Sequence, residues 1–112
     1  MAAKFRINRS RNGKYHFNLV AGNGQVILSS EMYEKKPAAQ NGIKSVKKNA
    51  GNDKRFERRK AKNGKTYFVL KSGNGQEIGK SQMYKTTSGM ENGIQSVKNN
   101  APKAQIADAT GA

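Results

Sequence analysis

The sequence predicts an α+β fold: two tandem β-β-β-α-β units related by a pseudo-twofold axis. The units form one shared antiparallel sheet with two helices packed on it and their C-terminal strands exchanged. The first observation behind this prediction is a match of the chain to itself at a constant offset of 51, with 22 of 46 aligned positions identical. The second is that apolar residues in each unit first alternate and then recur every three or four residues. We therefore predict one domain, residues 1–112, made of repeat 1 (4–53), repeat 2 (54–108) and a disordered tail (109–112).

Alternation predicts three strands at the start of each unit. In KYHFNLV, which begins at Lys14, the apolar side chains Phe17 and Leu19 fall on one face and polar side chains on the other, as in a half-buried strand. KTYFVLK in the second unit repeats this pattern with Phe68 and Leu70. KFRIN and QVILSS, on either side of the first of these segments, are predicted as the neighbouring strands. The Asn-Gly pairs between them indicate hairpin turns, because glycine adopts the positive φ that such turns require.

A helix follows the third strand of each unit. Ala39, Ile43, Val46 and Ala50 are spaced 4, 3 and 4 residues apart, and the second unit carries apolar residues at the same spacing. This is the apolar stripe of a helix that packs on a sheet. Pro37 suits the first turn, where its missing N–H costs nothing.

Two further Asn-Gly pairs lie inside these helices, at Gly42 and Gly93. Glycine there costs up to about 1 kcal/mol relative to alanine. We expect close packing to offset this cost, with each helix approaching the shared sheet or its twin.

The segment that closes the second unit, KAQIAD, lies over the joining segment NDKRFE when the chain is shifted by 51. By symmetry, the joining strand near 55–60 is predicted to serve both halves. Residues Gln105 to Asp108 are predicted to form an edge strand beside Phe5. The predicted core consists of Phe5, Phe17, Leu19, Ile27, Ile43, Val46, Phe56, Phe68, Leu70, Ile78, Ile94 and Val97.

The chain is strongly basic. It carries 22 Lys and Arg against 7 Asp and Glu, a net charge of +15, and residues 1–50 and 51–101 contribute +8 and +7. Such a charge attracts polyanions and opposes self-association, so we expect a monomer.

With no cysteine and no apolar run of signal-peptide or membrane-span length, the expected location is the cytoplasm, with no membrane contact.

The sequence offers little for catalysis or for a cofactor. One histidine and no cysteine exclude a structural zinc site, and no metal or cofactor is predicted. GNGQ at residue 22 lacks the GK[ST] of a phosphate loop and precedes a strand, so it indicates a hairpin. No acid or imidazole recurs at equivalent positions: His16 lies over Tyr67, for example, and Glu57 over Arg6. We therefore predict that the protein is not an enzyme.

The serine and tyrosine of S-x-M-Y do recur, as Ser30 with Tyr33 and Ser81 with Tyr84. A hydroxyl site is one interpretation. Anchoring of the helix onto the sheet, with the phenol at the rim, is the favoured one.

Together the motifs K/R-F, NGK-x-x-F-x-L, GNGQ, S-x-M-Y and NGI-x-SVK-x-NA resemble those of the YegP-like family of small bacterial proteins. The resemblance covers nearly all of residues 4–108. It implies a three-strand, one-helix, one-strand motif taken twice, with exchange of the C-terminal strands. It implies no function, since that of the family is not established, and so no site residue.

The basic residues remain as the functional signal. Cations on a sheet face neutralise phosphates, and flat rings among them stack on unpaired bases. The candidate nucleic-acid-binding residues are Lys4, Arg6, Lys14, His16, Arg55, Arg58, Arg59, Lys60, Lys62, Lys65 and Tyr67. One alternative is that these residues form an ordinary solvated surface. The other is that the protein is an interaction module, or a stress-related module, that binds an acidic protein.

Overall fold

The computed structural model describes residues 3–109. The first unit contains strands β1 (Lys4–Arg9), β2 (Tyr15–Val20) and β3 (Val26–Ser29) and helix α1 (Lys36–Asn49). A short 3-10 helix, Asp53–Arg55, leads into strands β4 (Phe56–Lys60), β5 (Thr66–Lys71) and β6 (Glu77–Lys80), helix α2 (Thr87–Asn100) and strand β7 (Gln105–Asp108). The predicted order of elements is confirmed in both units, and Pro37 lies in the first turn of α1.

All seven strands form one sheet in the order β4-β5-β6-β3-β2-β1-β7. The two units meet where β3 pairs with β6, through Ser29 and Lys80. Lys80 is the counterpart of Ser29 at the offset of 51. The pseudo-twofold axis therefore passes between these two residues.

Strand β7 leaves the second unit and pairs with β1 of the first, with Ile106 opposite Phe5. This confirms the predicted edge strand. This pairing is parallel, because the chain leaves α2 near the N-terminal end of β1 and β7 then runs in the same direction as β1. The sheet is therefore mixed rather than antiparallel throughout. Exchange occurs at this edge alone: the corresponding residues of the first unit continue into β4, which pairs with β5 of its own unit and leaves the sheet open there.

The core lies between one face of the sheet and the two helices. Helix α1 crosses the junction of the units and contacts β1 and β2 as well as β5 and β6, while α2 contacts β3 and β5. Every predicted core residue is buried, and all of them belong to one apolar cluster. Val20 and Val69 are also buried but lie outside this cluster, because alternation points them to the other side of the sheet.

The helical glycines allow a tyrosine to lie between helix and sheet. Tyr33 stacks on Phe17 with ring centroids 6.2 Å apart, and Tyr84 stacks on Phe68 at 6.4 Å. A Cβ added at Gly42 would lie 2.9 Å from Cε2 of Phe17 and closer still to the Tyr33 hydroxyl. The expected close packing is thus confirmed, and the side chain that fills the space is the tyrosine of S-x-M-Y.

The other four Asn-Gly pairs form the predicted turns. Gly13, Gly24, Gly64 and Gly75 have φ between 80° and 86°, and no other described residue has a positive φ. The turns therefore need glycine for its backbone freedom, whereas the helices need it for space.

Candidate functional site

The face of the sheet opposite the helices, here called the open face, carries several predicted binding residues. The register of the sheet places one open-face residue of each strand from β4 to β1 side by side, in a row that crosses both units. From β4 to β1 the row consists of Glu57, Val69, Lys80, Ser29, Asn18 and Arg6. Neighbouring strands lie about 4.8 Å apart, so the row spans the whole sheet.

The second-unit part of the open face is a network of ion pairs. Arg59 donates from Nε to Glu57 at 2.6 Å and from Nη2 to Glu77 at 2.9 Å, and Lys71 lies 3.4 Å from Glu57. Val69 is fully buried beneath these side chains. We call these four charged residues the carboxylate network.

Tyr67 also lies on this part of the open face, opposite Arg59 in the register. The ammonium group of Lys80 lies 5.0 Å from the centre of its ring, within range of a cation-π interaction. One face of the ring is therefore already in contact with a cation.

The first-unit part of the open face has a different composition. Arg6 faces uncharged residues across the sheet, Asn18 in β2 and Ala107 in β7. His16, the counterpart of Tyr67, lies opposite Asn8, and its Nδ1 atom is buried with no hydrogen-bond partner. Within residues 3–109, Arg6 forms no ion pair, so its charge is available to a ligand.

Two arginines of the basic cluster around β4, Arg58 and Arg59, are paired with carboxylates. Arg58 lies on the helix side, where it donates to Glu91 at 2.7 and 3.0 Å and to Asp53 at 3.1 Å. Lys98 of α2 donates to the same Asp53 at 2.7 Å. Arg58 and Arg59 thus lie on opposite faces of the strand, each between two carboxylates.

These contacts shift the pKa values of both partners. Hydrogen bonds from Lys98 and then Arg58 lower the pKa of Asp53, and those from Arg59 and then Lys71 lower the pKa of Glu57. Arg58 likewise lowers the pKa of Glu91. The guanidinium pKa values of Arg58 and Arg59 are raised, chiefly by Glu91 and Glu77. The arginines therefore stay charged, and the ion pairs persist for as long as the carboxylates are ionised.

The remaining predicted residues are dispersed. Lys4, Lys60, Lys62 and Lys65 are exposed, the last two in the turn between β4 and β5. Lys14 lies 4.0 Å from Glu34. The structure therefore brings Lys4, Arg6, His16, Arg59 and Tyr67 to the open face and places the other predicted residues elsewhere.

A depression of about 160 Å³ lies at the junction of the units, lined by Ser29, Ser30, Glu31, Glu77, Gly79 and Lys80. Its two carboxylates make it a poor place for a phosphate. Ser30 is engaged structurally: its Oγ accepts the Phe17 N–H at 2.8 Å, and Ser81 accepts the Phe68 N–H at 2.9 Å. These recurring hydroxyls hold strand ends together, while the expected contact between helix and sheet is made by Tyr33 and Tyr84.

Sequence reasoning missed a groove on the helix side, between α1 and the turn that joins β5 to β6. It contains Lys48 and Ser45 of α1, Arg55, and Ser72 to Asn74 of the turn, and it has a volume of about 350 Å³. We call it the α1 groove. One signal for it exists in the sequence, since Lys48 and Arg55 differ from their counterparts Asn99 and Ile106.

Two other kinds of site were sought among residues 3–109. No group of three or more His, Cys, Asp or Glu side chains is close enough to hold a metal ion. No helix in this part of the chain has the length and apolar character needed to cross a membrane.

The duplicated β-β-β-α-β unit with an exchanged strand defines a class of small tandem-repeat proteins. The family model for a domain of unknown function, DUF1508, matches the chain twice, over residues 10–57 and 61–108. The two matches differ by the offset of 51 found in the sequence. The chain belongs to this family, and the resemblance to YegP-like proteins is confirmed.

Several relatives match over most of their length. The chain is 46% identical over 110 residues to the UPF0339 protein YegP of Escherichia coli K12, covering 98% of this chain and all of the relative. It is 56% identical over 97 residues to a UPF0339 protein of Bordetella pertussis, covering 87% of each.

Two solved structures also match. The solution NMR structure of the E. coli protein of unknown function yegP matches with a TM-score of 0.94, covering all of this chain and 97% of that one. A UPF0339 protein of Shewanella oneidensis, 45% identical, matches with a TM-score of 0.92 and coverages of 98% and 93%. The family model and the E. coli structure are both described as of unknown function, so function is argued from the residues.

Proposed function

We propose that this chain is a small, non-enzymatic accessory protein of the cytoplasm that binds nucleic acid as a monomer. The observation that carries the proposal is how the charges pair. Of 22 Lys and Arg residues, six form ion pairs with carboxylates among residues 3–109, which leaves sixteen without a carboxylate partner. Those same pairs engage six of the seven acidic residues, so little negative charge remains to repel a phosphate backbone.

The sixteen unpaired cations are divided evenly between the units, eight within residues 4–53 and eight within residues 54–108. Lys4 and Arg6 extend from the open face, and Lys44 and Lys48 extend from α1 without a carboxylate partner in the described chain. Four of the seven acidic residues lie between positions 53 and 91 and pair with cations of the second unit. A polyanion is therefore expected to contact cations of both units, and on the open face those of the first unit, which have no carboxylate beside them.

The aromatic residues support binding with little preference for base sequence. Each of the four phenylalanines is buried, and Tyr33 and Tyr84 stack on two of them. Tyr67 is left as a ring on the open face, beneath Lys80. Contacts to phosphates then supply most of the affinity, which makes it weak and sensitive to salt.

A non-enzymatic role is supported by how the acidic side chains are used. Glu57, Glu77 and Glu91 have arginine partners, and the counterparts of Glu57 and Glu91 in the first unit are Arg6 and Gln40. General acid-base chemistry needs a titratable group that is free to exchange its proton with a substrate. These carboxylates serve instead to pair neighbouring cations.

Fluorescence anisotropy with labelled single-stranded and duplex RNA and DNA tests the proposal. We expect binding at about 50 mM salt and at least a tenfold loss of affinity at about 200 mM. Heparin, a polyanion without bases or sugar-phosphate geometry, serves as the competitor. Absence of binding at low salt, or equal competition by heparin at matched charge, would contradict a nucleic-acid function.

The open edge at β4 favours a second candidate, an acidic protein partner. Among residues 3–109 this strand pairs with β5 alone, and Lys60, which has no carboxylate partner there, is exposed on it. An acidic segment adding to this edge would satisfy both its backbone groups and its charge. Affinity capture from a nuclease-treated lysate separates the candidates, because a protein partner is retained after nuclease treatment and a nucleic-acid-bridged one is lost.

A further inference from the structure

The α1 groove has the chemical composition of an anion site. Its lining contains two cations, Lys48 and Arg55, and no carboxylate. A second depression of about 290 Å³ continues from it, sharing Ser45, Ser72 and Asn74, and this extension also lacks an acidic residue. Grooves of this size accommodate small ligands or part of a polymer.

Arg55 is held ready for a ligand. Its Nε atom is buried and has no hydrogen-bond partner in the described chain, a state that native structures rarely tolerate in a donor. Its guanidinium lies against the turn at Gly73, where an added Cβ would be 3.6 Å from Nη2. The two carboxylates nearest in sequence have other partners: Asp53 pairs with Lys98 and Arg58, and Glu57 pairs with Arg59 and Lys71. The charge of Arg55 is therefore uncompensated.

Neutral donors complete the groove. The Oδ1 atom of Asn74 accepts hydrogen bonds from the Ser72 hydroxyl and from the N–H of Gln76 at 3.0 Å. This leaves the amide NH₂ of Asn74, like the backbone N–H of Gly73, without an acceptor within residues 3–109. The Ser45 hydroxyl accepts from Asn49 at 3.3 Å and donates to no described group. All of these are groups that bind an oxyanion.

The pseudo-symmetric position on the other unit provides an internal comparison. There α2 lies where α1 does here, and the turn between β2 and β3 replaces the turn between β5 and β6. Asn99 takes the place of Lys48, Ile106 that of Arg55, and Ala21 that of Ser72. The helix and the turn are thus duplicated, but Ile106 lies in β7 whereas Arg55 lies in the 3-10 helix, and the cations are present on one side only.

We propose that the α1 groove is a phosphate-binding site, with Lys48 and Arg55 as the charged ligands and Asn74, Ser45 and the Gly73 N–H as donors. This deepens the proposed function, on which it rests for the source of the phosphate. A nucleic-acid backbone and a free phosphate compound present the same chemistry. Because the opposite groove lacks the cations, one molecule binds one phosphate group at this kind of site.

The first test titrates inorganic pyrophosphate into the full chain and follows backbone amide shifts by NMR. We expect saturable shifts at Ser72 to Asn74. The variant Lys48→Asn/Arg55→Ile, which installs the residues of the opposite groove, should bind at least about tenfold more weakly, since two charge-assisted contacts are lost. Lys48→Asn alone, at an exposed position, provides a second variant in which the packing of Arg55 is kept.

The matched control is Lys35→Thr/Lys85→Gln, which removes two charges next to the N-terminal ends of the helices. It should bind pyrophosphate as the parent chain does. Shifts spread over all exposed lysines, with equal affinity in both double variants, would overturn the proposal and indicate an adventitious ion only. Unchanged amide shifts outside the groove confirm that each variant is folded.

A second arm, with a labelled single-stranded oligonucleotide, separates this site from the proposed function. If the groove holds a backbone phosphate, Lys48→Asn/Arg55→Ile lowers the salt slope of log K by about 0.7 per lost phosphate contact. Pyrophosphate binding at the groove without any oligonucleotide binding would keep the site and refute the nucleic-acid function. Oligonucleotide binding that is equal in both double variants, with no pyrophosphate binding at the turn, would refute the site and keep the function.

Discussion

The two repeats share a backbone but organise their charges differently. In the second, Glu57 and Glu77 hold Arg59 on the open face, and Asp53 and Glu91 hold Arg58 on the helix side. In the first, the counterparts of these residues include no acid within reach of Arg6. The two repeats thus share most of their core residues, where packing limits substitution, while on the open face the second repeat pairs its cations with carboxylates and the first does not.

The two edges of the sheet differ in the same way. At the β1 edge, β7 covers Ile7, which is fully buried. At the β4 edge the equivalent residue is Arg58, and no strand within residues 3–109 lies beside it on that side. A charged residue on an uncovered strand opposes edge-to-edge association. The residue type at this position therefore follows from whether a strand lies beside it.

Exchanging these two residues should give the largest effect. Ile7→Arg places a guanidinium at a buried position of β1, the strand that β7 covers. The counterpart of Glu91, which pairs with Arg58, is the uncharged Gln40, so this position offers the new arginine no carboxylate. An uncompensated buried charge costs about 3–5 kcal/mol, so the free energy of unfolding in urea should fall by that amount. Arg58→Ile should change it by about 1 kcal/mol or less, since the pairs it loses are partly exposed.

The same Arg58→Ile variant should associate through its apolar β4 edge, which gel filtration at rising concentration would detect. Equal destabilisation by the two changes would show that coverage by β7 does not set the difference between the edges.

The next largest effect concerns a feature that the repeats share. Gly42→Ala and Gly93→Ala should each lower the free energy of unfolding by about 1–3 kcal/mol, although alanine is the better helix former. The new Cβ would lie 2.9 Å from Phe17 at the first site and 2.7 Å from Cζ of Tyr84 at the second. Gly51→Ala, with no atom within 4 Å, is the control and should be tolerated. A marked difference between the two helical sites would mean that the cores have diverged.

The fold was largely predictable because its signals are local. The constant offset, the alternation in the strands and the stripe Ala39, Ile43 and Val46 each lie within a short segment. The ion pairs of Arg58 were not predictable, since Glu91 is 33 residues away and its approach depends on where α2 lies. The α1 groove was missed for a related reason: α1 of one unit crosses to the turn of the other, and nothing in either segment specifies that contact.

Acid should weaken the second unit more than the first. The pKa values of Asp53, Glu57 and Glu91 are lowered in the folded protein by their basic partners. The unfolded chain therefore takes up protons first as the pH falls. The stability from these groups is present above their unfolded pKa, about 4, and is lost as the pH falls through the lower folded values.

Urea midpoints at about pH 6 and pH 3 measure this loss. Glu57→Gln/Glu91→Gln should lose less stability on acidification than the parent chain. The control is Glu31→Gln/Glu34→Gln, which also removes two acids; Glu34 is highly exposed and 4.0 Å from Lys14. This control should follow the parent chain. An equal response of both variants would show that overall charge repulsion governs acid stability.

The smallest effect should distinguish Arg6, which has no acidic partner among residues 3–109, from Arg59, which is paired with two carboxylates on the same open face. Arg6→Gln should weaken oligonucleotide binding about two- to threefold and reduce the salt slope by about 0.7, the loss of one phosphate contact. Arg59→Gln removes the same charge from a residue already held by Glu57 and Glu77, so affinity should change less. The two variants are compared near 0.15 M salt, where the electrostatic screening length is about 8 Å, because each substitution then affects only phosphates close to it. Equal losses for the two variants would mean that net charge governs binding, and the difference between the two repeats would then have no part in it.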